Sequence, residues 1–282
     1  MAKTDSSPVS LTGHFTGQVW CRHDLSPPHL GSGLGRVLYR AQQPFGWISQ
    51  QIYGSNLESM LLVRHQLMDD LVRADIENGT TQILEIASGL SGRALRMLEA
   101  YPDRDLRYIE ADLPQMMAWK RERLTPAQKQ DKRLTLCDIN ILRESGAMSL
   151  PSVLAANVDP AKPLLIITEG LVNYFRLPVI HEFWQRLHAE LSTFPSSSYL
   201  FEIWPRLPVY DESKMLKLGL VAIEMLTRQR VPLHFTGEPE IVEAFEAIGF
   251  PQVDVINPDH TEIGRQFGAL QKCLFRVVRA ST

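Results

Sequence analysis

The chain has 282 residues, 44% of them hydrophobic and 22% charged, with a formal net charge of −3. This composition supplies a sizeable core and excludes a disordered chain, and the slightly acidic balance gives no electrostatic footprint for nucleic acid. No apolar run is long enough to span a bilayer, and the first residues lack the apolar core of a signal peptide. We expect a soluble cytoplasmic protein without nucleic-acid or membrane partners, whose three widely spaced cysteines stay reduced.

The N-terminal residues 1–35 are polar and rich in Ser, Pro and Gly, which predicts a flexible arm with no fold of its own. The arm ends in GSGLGR, which has the composition of a phosphate-binding loop. However, no strand precedes this stretch and no Gly-Lys-Ser/Thr follows it, so a flexible linker is the better interpretation.

A single domain of alternating helices and strands is predicted for residues 36–282. Apolar residues recur at helical spacing from Val37 to about Ile76, and Asn78-Gly79 ends that helix. Three strands follow that end near Ile86, Glu110 and Asp138, separated by helices at about 91–100 and 113–123. The fourth strand, PLLIITEG, contains a continuous apolar run of the kind that is buried on both faces of a sheet.

The second half of the chain continues this alternation with one interruption. A helix at 177–194 leads to the strand YLFEIW, and the chain ends with a helix at 239–248 and the strands QVDVI and KCLFRVVR. Between them, residues 205–235 form a proline-bounded insertion with a long helix from Glu212 to about Arg228. Alternation of this kind predicts a largely parallel sheet with helices on both faces.

Acidic residues stand at the ends of the first four strands, namely Glu85, Glu110 with Asp112, Asp138 and Glu169. One such carboxylate is more often a helix cap than a ligand-binding group, but the ends of parallel strands share one edge, where ligands bind. Glu110 and Asp112 follow Gly89 by about 20 residues, the spacing at which an acidic residue holds ribose hydroxyls. The pattern predicts an adenosine-type ligand across the strand ends.

The turn after the first strand, in ILEIASGLSGR, is not built for a diphosphate. Ala87 stands where glycine is the usual residue, and no basic residue precedes Arg93. Alanine fits such a turn if its φ is negative. A phosphate-free adenosyl ligand therefore suits this turn better than a dinucleotide.

The stretches ILEIASGLSGR, YIEADLP, LCDI and IITEGLVNYF resemble, in order and spacing, the motifs LGAGLDTR, EVDLP, DL and TEGLLMYL of the leucine carboxyl methyltransferase family. That family includes bacterial polyketide-type carboxyl O-methyltransferases similar to the tetracenomycin one. The resemblance covers roughly residues 36–282. It implies a Rossmann-like class I methyltransferase: an α/β fold with a seven-stranded, mostly parallel sheet, an antiparallel last strand and S-adenosylmethionine as cofactor.

Spacing and resemblance together predict a set of cofactor-binding residues, namely Arg64, Glu85, Ala87, Gly89, Glu110, Asp112, Asp138, Ile139 and Glu169. In the implied roles, Arg64 meets the methionine carboxylate, Asp112 the ribose, Asp138 and Ile139 the adenine, and Glu169 the amino group. From the residues alone, Arg64 is equally well a solvated charge on a helix face. The chain departs from the family at Ala87, which replaces a glycine, and at Ser91-Gly92, which replace Asp-Thr.

No residue is assigned to catalysis, because a carboxylate acceptor is already anionic at neutral pH and needs no general base. On the substrate side we name Tyr174, Arg206 and Tyr210. Tyr174 serves core packing equally well, and Arg206 is placed to pair with an acidic substrate. A hydroxyl acceptor would need a base, for which His181, His188 and His234 are left open. The histidine spacing predicts no metal site.

We predict an S-adenosylmethionine-dependent O-methyltransferase that acts on the carboxylate of a small polyketide-like or aromatic acid, under a lid formed by residues 205–235. The alternatives are a hydroxyl O-methyltransferase of a natural-product pathway and a non-catalytic adenosyl-binding protein. An oxidoreductase with a nicotinamide cofactor is a further rival, against which the turn after the first strand counts because it does not suit a diphosphate. The helix of the 205–235 insertion also suits packing on the core or on a second subunit of a homodimer.

Overall fold

A computed structural model describes residues 7–53, 56–208, 232–266 and 273–282, with the backbone alone for residues 7–10 and 44–53. One seven-stranded sheet has the order β3-β2-β1-β4-β5-β7-β6. Its strands are β1 Gln82–Ile86, β2 Arg107–Asp112, β3 Leu134–Asp138, β4 Leu164–Thr168, β5 Ser197–Ile203, β6 Gln252–Ile256 and β7 Arg276–Ser281.

The strand directions match the predicted architecture. Strands β1 to β5 pair in parallel, and β7 lies between β5 and β6 and runs antiparallel to both. The predicted mostly parallel sheet with an antiparallel last strand is therefore confirmed. The strand order reverses between β1 and β4, and at such a switch point the carboxyl ends of the strands leave a crevice for a ligand.

Ten α-helices connect and cover the strands in the described parts of the chain. They are α1 Ser7–Arg22, α2 Gly33–Tyr53, α3 Leu57–Glu77, α4 Arg93–Ala100, α5 Pro114–Arg123, α6 Pro126–Gln130, α7 Leu150–Asn157, α8 Leu177–Leu191, α9 Glu238–Ile248 and α10 Glu262–Gln266. The single helical stretch predicted before β1 is two helices. The second, α3, begins at Leu57 after the N-cap Asn56. The side chain of Asn56 accepts a hydrogen bond from Ser59 N at 2.8 Å and so satisfies a free amide of the first turn.

Two apolar clusters cover the two faces of the sheet. On one face, α8 contributes the buried side chains Phe183, Trp184 and Leu187. On the other face, α3 contributes Val63 and Met68. Every residue of β4 is buried, as the apolar run of that strand predicts for a position in the middle of a covered sheet.

The prediction of a flexible arm is wrong for residues 7–35, which form α1 and the start of α2. The side chains of Phe15, Val19 and Trp20 are buried in a cluster with residues of α2 and α3. The stretch GSGLGR is not a linker either, because α2 begins inside it, at Gly33.

Close packing, and not flexibility, explains the glycines of the N-terminal segment. A Cβ at Gly17 would lie 2.7 Å from the Cβ of Leu90, and a Cβ at Gly35 would lie 2.3 Å from the carbonyl oxygen of His14. These distances are too short for any other residue. The glycines therefore let α1 lie directly on the turn after β1 and on α2.

The predicted lid helix lies outside the described residues, since positions 209–231 are not described. The two ends of the insertion are described and meet beside β5. Arg206 N donates to Phe235 O at 2.8 Å, and His234 N donates to Trp204 O at 3.3 Å. The chain therefore leaves and re-enters the domain at one place. None of the described helices combines the length and apolarity needed to cross a membrane.

Candidate functional site

A cavity of about 400 Å³ lies at the carboxyl ends of β1, β2, β4 and β5, where the strand order reverses. Its charged lining residues are Arg64, Glu85, Asp112, Glu169 and Glu202. Its apolar wall includes Phe15, Trp20, Leu38, Leu57, Leu61, Met116, Leu171 and Trp204. Several of these apolar residues belong to α1, α2 and α3, so the segment predicted to be a mobile arm forms part of the site.

The turn after β1 is held in a left-handed conformation. Ala87 has a φ of 58° and Gly89 a φ of 50°. Ala87 therefore does not meet the condition of a negative φ under which alanine fits such a turn without strain. A non-glycine residue in the left-handed region lowers the stability of the fold by about 1–2 kcal/mol, because its Cβ approaches the following carbonyl. Ala87 therefore adopts a backbone conformation that normally favours glycine.

Asp112 fixes the same turn from the end of β2. Its Oδ2 accepts a hydrogen bond from Gly89 N at 2.8 Å, and its Oδ1 accepts one from Leu113 N at 2.7 Å. Burial raises the pKa of Asp112, and the two amide donors oppose this shift. Each carboxylate oxygen has a second lone pair, so Asp112 can hold the turn and still accept from a ligand hydroxyl in the cavity.

Arg64 is buried, with 6% of its surface exposed, so it is not a solvated charge on a helix face. Its Nε donates to Glu169 Oε1 at 2.9 Å, and its Nη1 donates to Glu202 Oε1 at 3.3 Å. Its Nη2 has no hydrogen-bond partner within the described residues. One side of the guanidinium fork is thus available to an anionic ligand group.

Glu169 is surrounded by cationic and hydrogen-bonding partners. Its Oε2 accepts from Arg93 Nη2 at 2.6 Å and lies 2.8 Å from His65 Nδ1. Burial by itself would raise the pKa of Glu169, but His65, Arg93 and Arg64 outweigh burial and hold the pKa well below its usual range. Glu169 therefore stays ionised at the end of β4.

Arg93, at the first position of α4, forms ion pairs with three carboxylates beneath the cavity. It is fully buried, its Nε donates to Asp69 and its Nη1 to Glu85, both at 2.6 Å. Glu85 also accepts from Tyr108 Oη at 2.6 Å, so this carboxylate is already paired below the turn. Our sequence reasoning did not assign Arg93, although it corresponds to the final Arg of the family motif LGAGLDTR.

Glu202 is a further cavity residue that sequence reasoning missed. It lies near the end of β5 with 3% of its surface exposed, and its Oε1 accepts from Gly170 N at 2.7 Å. Burial, together with the charge of Glu169, raises the pKa of Glu202 to about 7 against the opposing effect of Arg64. The signal available in the sequence was an acidic residue inside the apolar strand YLFEIW.

Three predicted cofactor-binding residues do not line the cavity. Glu110 accepts from Lys120 Nζ at 2.6 Å, and burial raises the pKa of this carboxyl to about 7. Asp138 accepts from Arg121 Nη2 at 2.8 Å, and Ile139 is buried among apolar side chains. The structure therefore brings Arg64, Ala87, Gly89, Asp112 and Glu169 together with Glu85, and leaves these three outside.

The structure places the substrate-side residues differently from one another. Tyr174 lines the cavity, and its Oη donates to Thr12 Oγ1 of α1 at 3.0 Å. Arg206 is exposed and does not line the cavity, and Tyr210 lies outside the described residues. The histidines that were considered as bases, His181, His188 and His234, do not line it either.

Close packing explains why Gly92 replaces the threonine of the family motif. A Cβ at Gly92 would lie 2.8 Å from both Leu25 O and the Cα of Ser26. Ser26 Oγ donates to Leu90 O at 3.0 Å, which docks the segment after α1 onto the turn. The threonine of the family motif would collide with this segment.

Solved structures share this fold over nearly the whole chain. A DUF574 family protein from Streptomyces avermitilis superposes with a TM-score of 0.63 over 95% of this chain and 96% of that one, at 13% identity. A candidate methyltransferase from Thermobifida fusca gives a TM-score of 0.60 over 95% and 93%, at 16% identity. At sequence identities this low, the superpositions establish a shared fold alone. Strand order, the antiparallel β7 and the cavity at the switch point define a Rossmann-like class I methyltransferase fold.

The family follows from the sequence comparison. The model of the leucine carboxyl methyltransferase family matches residues 40–183, just over half of the chain, and the chain belongs to this family. Among similar proteins are candidate S-adenosyl-L-methionine-dependent methyltransferases. The one from Mycolicibacterium paratuberculosis is 30% identical over 62% of this chain and 52% of its own length, and the one from Mycolicibacterium smegmatis 29% identical over 64% and 55%. The chain spans about half the length of these relatives.

Among the described residues, no group of three or more His, Cys, Asp or Glu side chains is arranged to hold a metal ion.

Proposed function

We propose that this protein transfers a methyl group from S-adenosylmethionine to an oxygen of a small molecule, with the carboxylate of a largely apolar acid as acceptor. The observation that carries the proposal is that one cavity is lined by both a guanidinium and a carboxylate with hydrogen-bonding capacity left for a ligand. Arg64 offers an unpaired Nη2 beyond β4, and Asp112 offers free lone pairs at the end of β2. A guanidinium suits the methionine carboxylate, and a carboxylate suits the ribose hydroxyls.

The charge of the cavity supports a sulfonium cofactor over a dinucleotide. Four carboxylates line it, and Arg64 is the single cationic side chain in the lining formed by the described residues. A diphosphate would be repelled by such a lining, whereas the positive sulfonium and ammonium groups of S-adenosylmethionine are attracted by it. Membership of the leucine carboxyl methyltransferase family supports the same cofactor.

The chain's own contribution to the reaction is alignment and exclusion of water. S-adenosylmethionine supplies the activated methyl group, and an acceptor carboxylate is already anionic, so no residue has to remove a proton. The apolar wall contributed by α1, α2 and α3 holds the acceptor in a dry, oriented position, which is the main source of rate in such a displacement.

A hydroxyl acceptor is the second candidate, because the excess of carboxylates in the cavity favours an uncharged acceptor over an anion. It would need a general base within hydrogen-bond reach. His181, His188 and His234 do not line the cavity, so none of them supplies that base.

The segment 205–235 is proposed as a cover for the acceptor. Trp204 lines the cavity. Asn173, which also lines it, donates through Nδ2 to Trp204 O at 3.2 Å and to Pro232 O at 2.7 Å. Both flanks of the segment therefore lie beside the cavity. A cover at this place would exclude water. Hydrogen exchange should show protection of 205–235 when cofactor and product are added together, and protection confined to other regions would exclude the cover.

Binding and transfer are tested separately. Calorimetry with S-adenosylmethionine tests the cofactor, and a methyl-labelled cofactor offered with matched pairs of apolar acids and phenols tests the acceptor. We expect binding and a labelled product that alkali hydrolyses, as a methyl ester does. An alkali-stable product would establish the hydroxyl acceptor, binding without transfer to any acceptor would indicate a non-catalytic protein, and no binding would refute the proposed function.

A further inference from the structure

Two carboxylates flank Arg64 in the cavity, and they differ in how fully they are already bound. Glu169 accepts from Arg64 Nε at 2.9 Å through one oxygen, and its other oxygen contacts both His65 Nδ1 and Arg93 Nη2. If Glu169 turned towards a ligand, the buried Arg93 would lose one of its three carboxylate partners. Breaking a buried ion pair is strongly destabilising, so Glu169 is held in place.

Glu202 is held much less tightly. Its contact with Arg64 Nη1 is long, at 3.3 Å, and its other donor is the amide of Gly170, at 2.7 Å from Oε1 and 3.0 Å from Oε2. A carboxylate has about four acceptor sites, so Glu202 keeps at least one of them for a further donor. Because Glu202 lines the cavity, that donor can come from a ligand.

We propose that Glu202, and not Glu169, binds the ammonium group at the amino-acid end of the cofactor while Arg64 binds the neighbouring carboxylate. The inference rests on the proposed cofactor, S-adenosylmethionine. The ammonium and carboxylate of an α-amino acid are attached to one carbon, so their partners must lie side by side. Arg64 contacts both carboxylates, Glu169 through Nε and Glu202 through Nη1, while its Nη2 has no partner among the described residues. Both carboxylates therefore meet this condition, and Glu202 is the one whose other contact is a single backbone amide.

The arrangement makes cofactor binding depend on pH. The groups that act on Glu202 are Arg64 from α3, Glu169 after β4, Tyr174 beyond it and Tyr199 on β5. The pKa of Glu202 is raised to about 7 in the free protein, so the carboxyl is largely protonated below that pH. An ammonium favours the ionised form, and the affinity should therefore rise as the pH rises to about 7.

The test compares three ligands by calorimetry on the full chain: S-adenosylmethionine, decarboxylated S-adenosylmethionine, which keeps the amino group, and 5′-methylthioadenosine, which has neither group. Glu202→Gln should weaken the first two by about tenfold, the low end for loss of a charged hydrogen-bond partner, and change the third by less than about twofold. Arg64→Ala should weaken S-adenosylmethionine but spare the decarboxylated ligand.

Glu110→Gln is the matched control, because Glu110 is a buried carboxylate whose pKa is likewise raised to about 7 and which does not line the cavity. It should not distinguish ligands with an amino group from the ligand without one. Equal losses of all three ligands in Glu202→Gln would assign a structural role to Glu202, and an unchanged affinity would exclude the contact. If Glu169→Gln, and not Glu202→Gln, selectively weakens binding of the ligands that carry an amino group, Glu169 binds the ammonium.

Wild-type protein supplies a second measurement that does not depend on a folded variant. Calorimetry of S-adenosylmethionine binding near pH 6.5, in two buffers of different ionisation enthalpy, should show release of up to about one proton. No proton release would overturn the inference. Failure of the wild type to bind S-adenosylmethionine at all would refute the proposed function, a different result from binding that Glu202→Gln leaves unchanged.

Discussion

The left-handed backbone conformation of Ala87, in the turn after β1, permits a quantitative prediction about Ala87→Gly. Ala87 has a φ of 58°, a region where alanine is unfavourable by about 1–2 kcal/mol and glycine is not. Glycine also has more conformational freedom in the unfolded chain, which offsets about 0.5–1 kcal/mol of the gain. We expect Ala87→Gly to stabilise the folded protein by about 0.5–1 kcal/mol.

Urea denaturation of the chain without ligand measures this change, and thermal unfolding should show a Tm higher by about 1–3 °C. Ser88→Gly is the matched control, because Ser88 is the next residue in the turn and has a negative φ. At Ser88 the substitution relieves no backbone strain and brings the entropic cost of about 0.5–1 kcal/mol. It also removes a buried hydroxyl that has no hydrogen-bond partner within the described residues, which offsets part of that cost. If Ala87→Gly lowers the stability as much as Ser88→Gly does, the argument from strain is wrong.

Four further variants test the site and its supports. Asp112→Ala should weaken S-adenosylmethionine binding by about ten- to hundredfold in calorimetry, and an unchanged affinity would mean that the ribose lies elsewhere. Arg64→Lys should weaken it by about tenfold, because one ammonium group cannot replace the three guanidinium nitrogens that contact Glu169, Glu202 and the ligand, whereas wild-type affinity would remove Arg64 from the site. Arg93→Met should destabilise the fold by about 3–5 kcal/mol in urea, since buried carboxylates lose their cation, and a cost below about 1 kcal/mol would contradict that account. Gly92→Thr should cost about 1–3 kcal/mol by overpacking against Leu25, and a neutral result would show that the N-terminal segment does not dock there.

The sheet was predictable because its signals are local. Apolar strands such as LLIIT alternate with helical periodicity, and both patterns can be recognised within a dozen residues. The antiparallel β7 was different, since a strand's direction depends on where the preceding helix returns the chain. That feature came from the family resemblance and not from the residues of β7.

The N-terminal segment shows where local signals mislead. Serine, proline and glycine usually mark loops, but Gly17 and Gly35 occupy positions where a Cβ would collide with Leu90 or His14 O. Their packing partners lie elsewhere in the chain, so composition by itself predicted flexibility where the structure has a helix on the cavity wall.

The sequence by itself determined the architecture, the edge of the sheet at which the cavity lies and the family to which the chain belongs. Strand-end acids and the turn after β1 lie next to recognisable strands, and those strands place them at one edge. Only the tertiary structure decided what each charged residue does there: Glu110 pairs with Lys120, Asp112 holds the turn, and Arg93 joins carboxylates from three elements. The physical reason is distance along the chain. Arg64 and Glu202 are 138 residues apart in sequence, and only the folded sheet brings their charges together in a buried cavity.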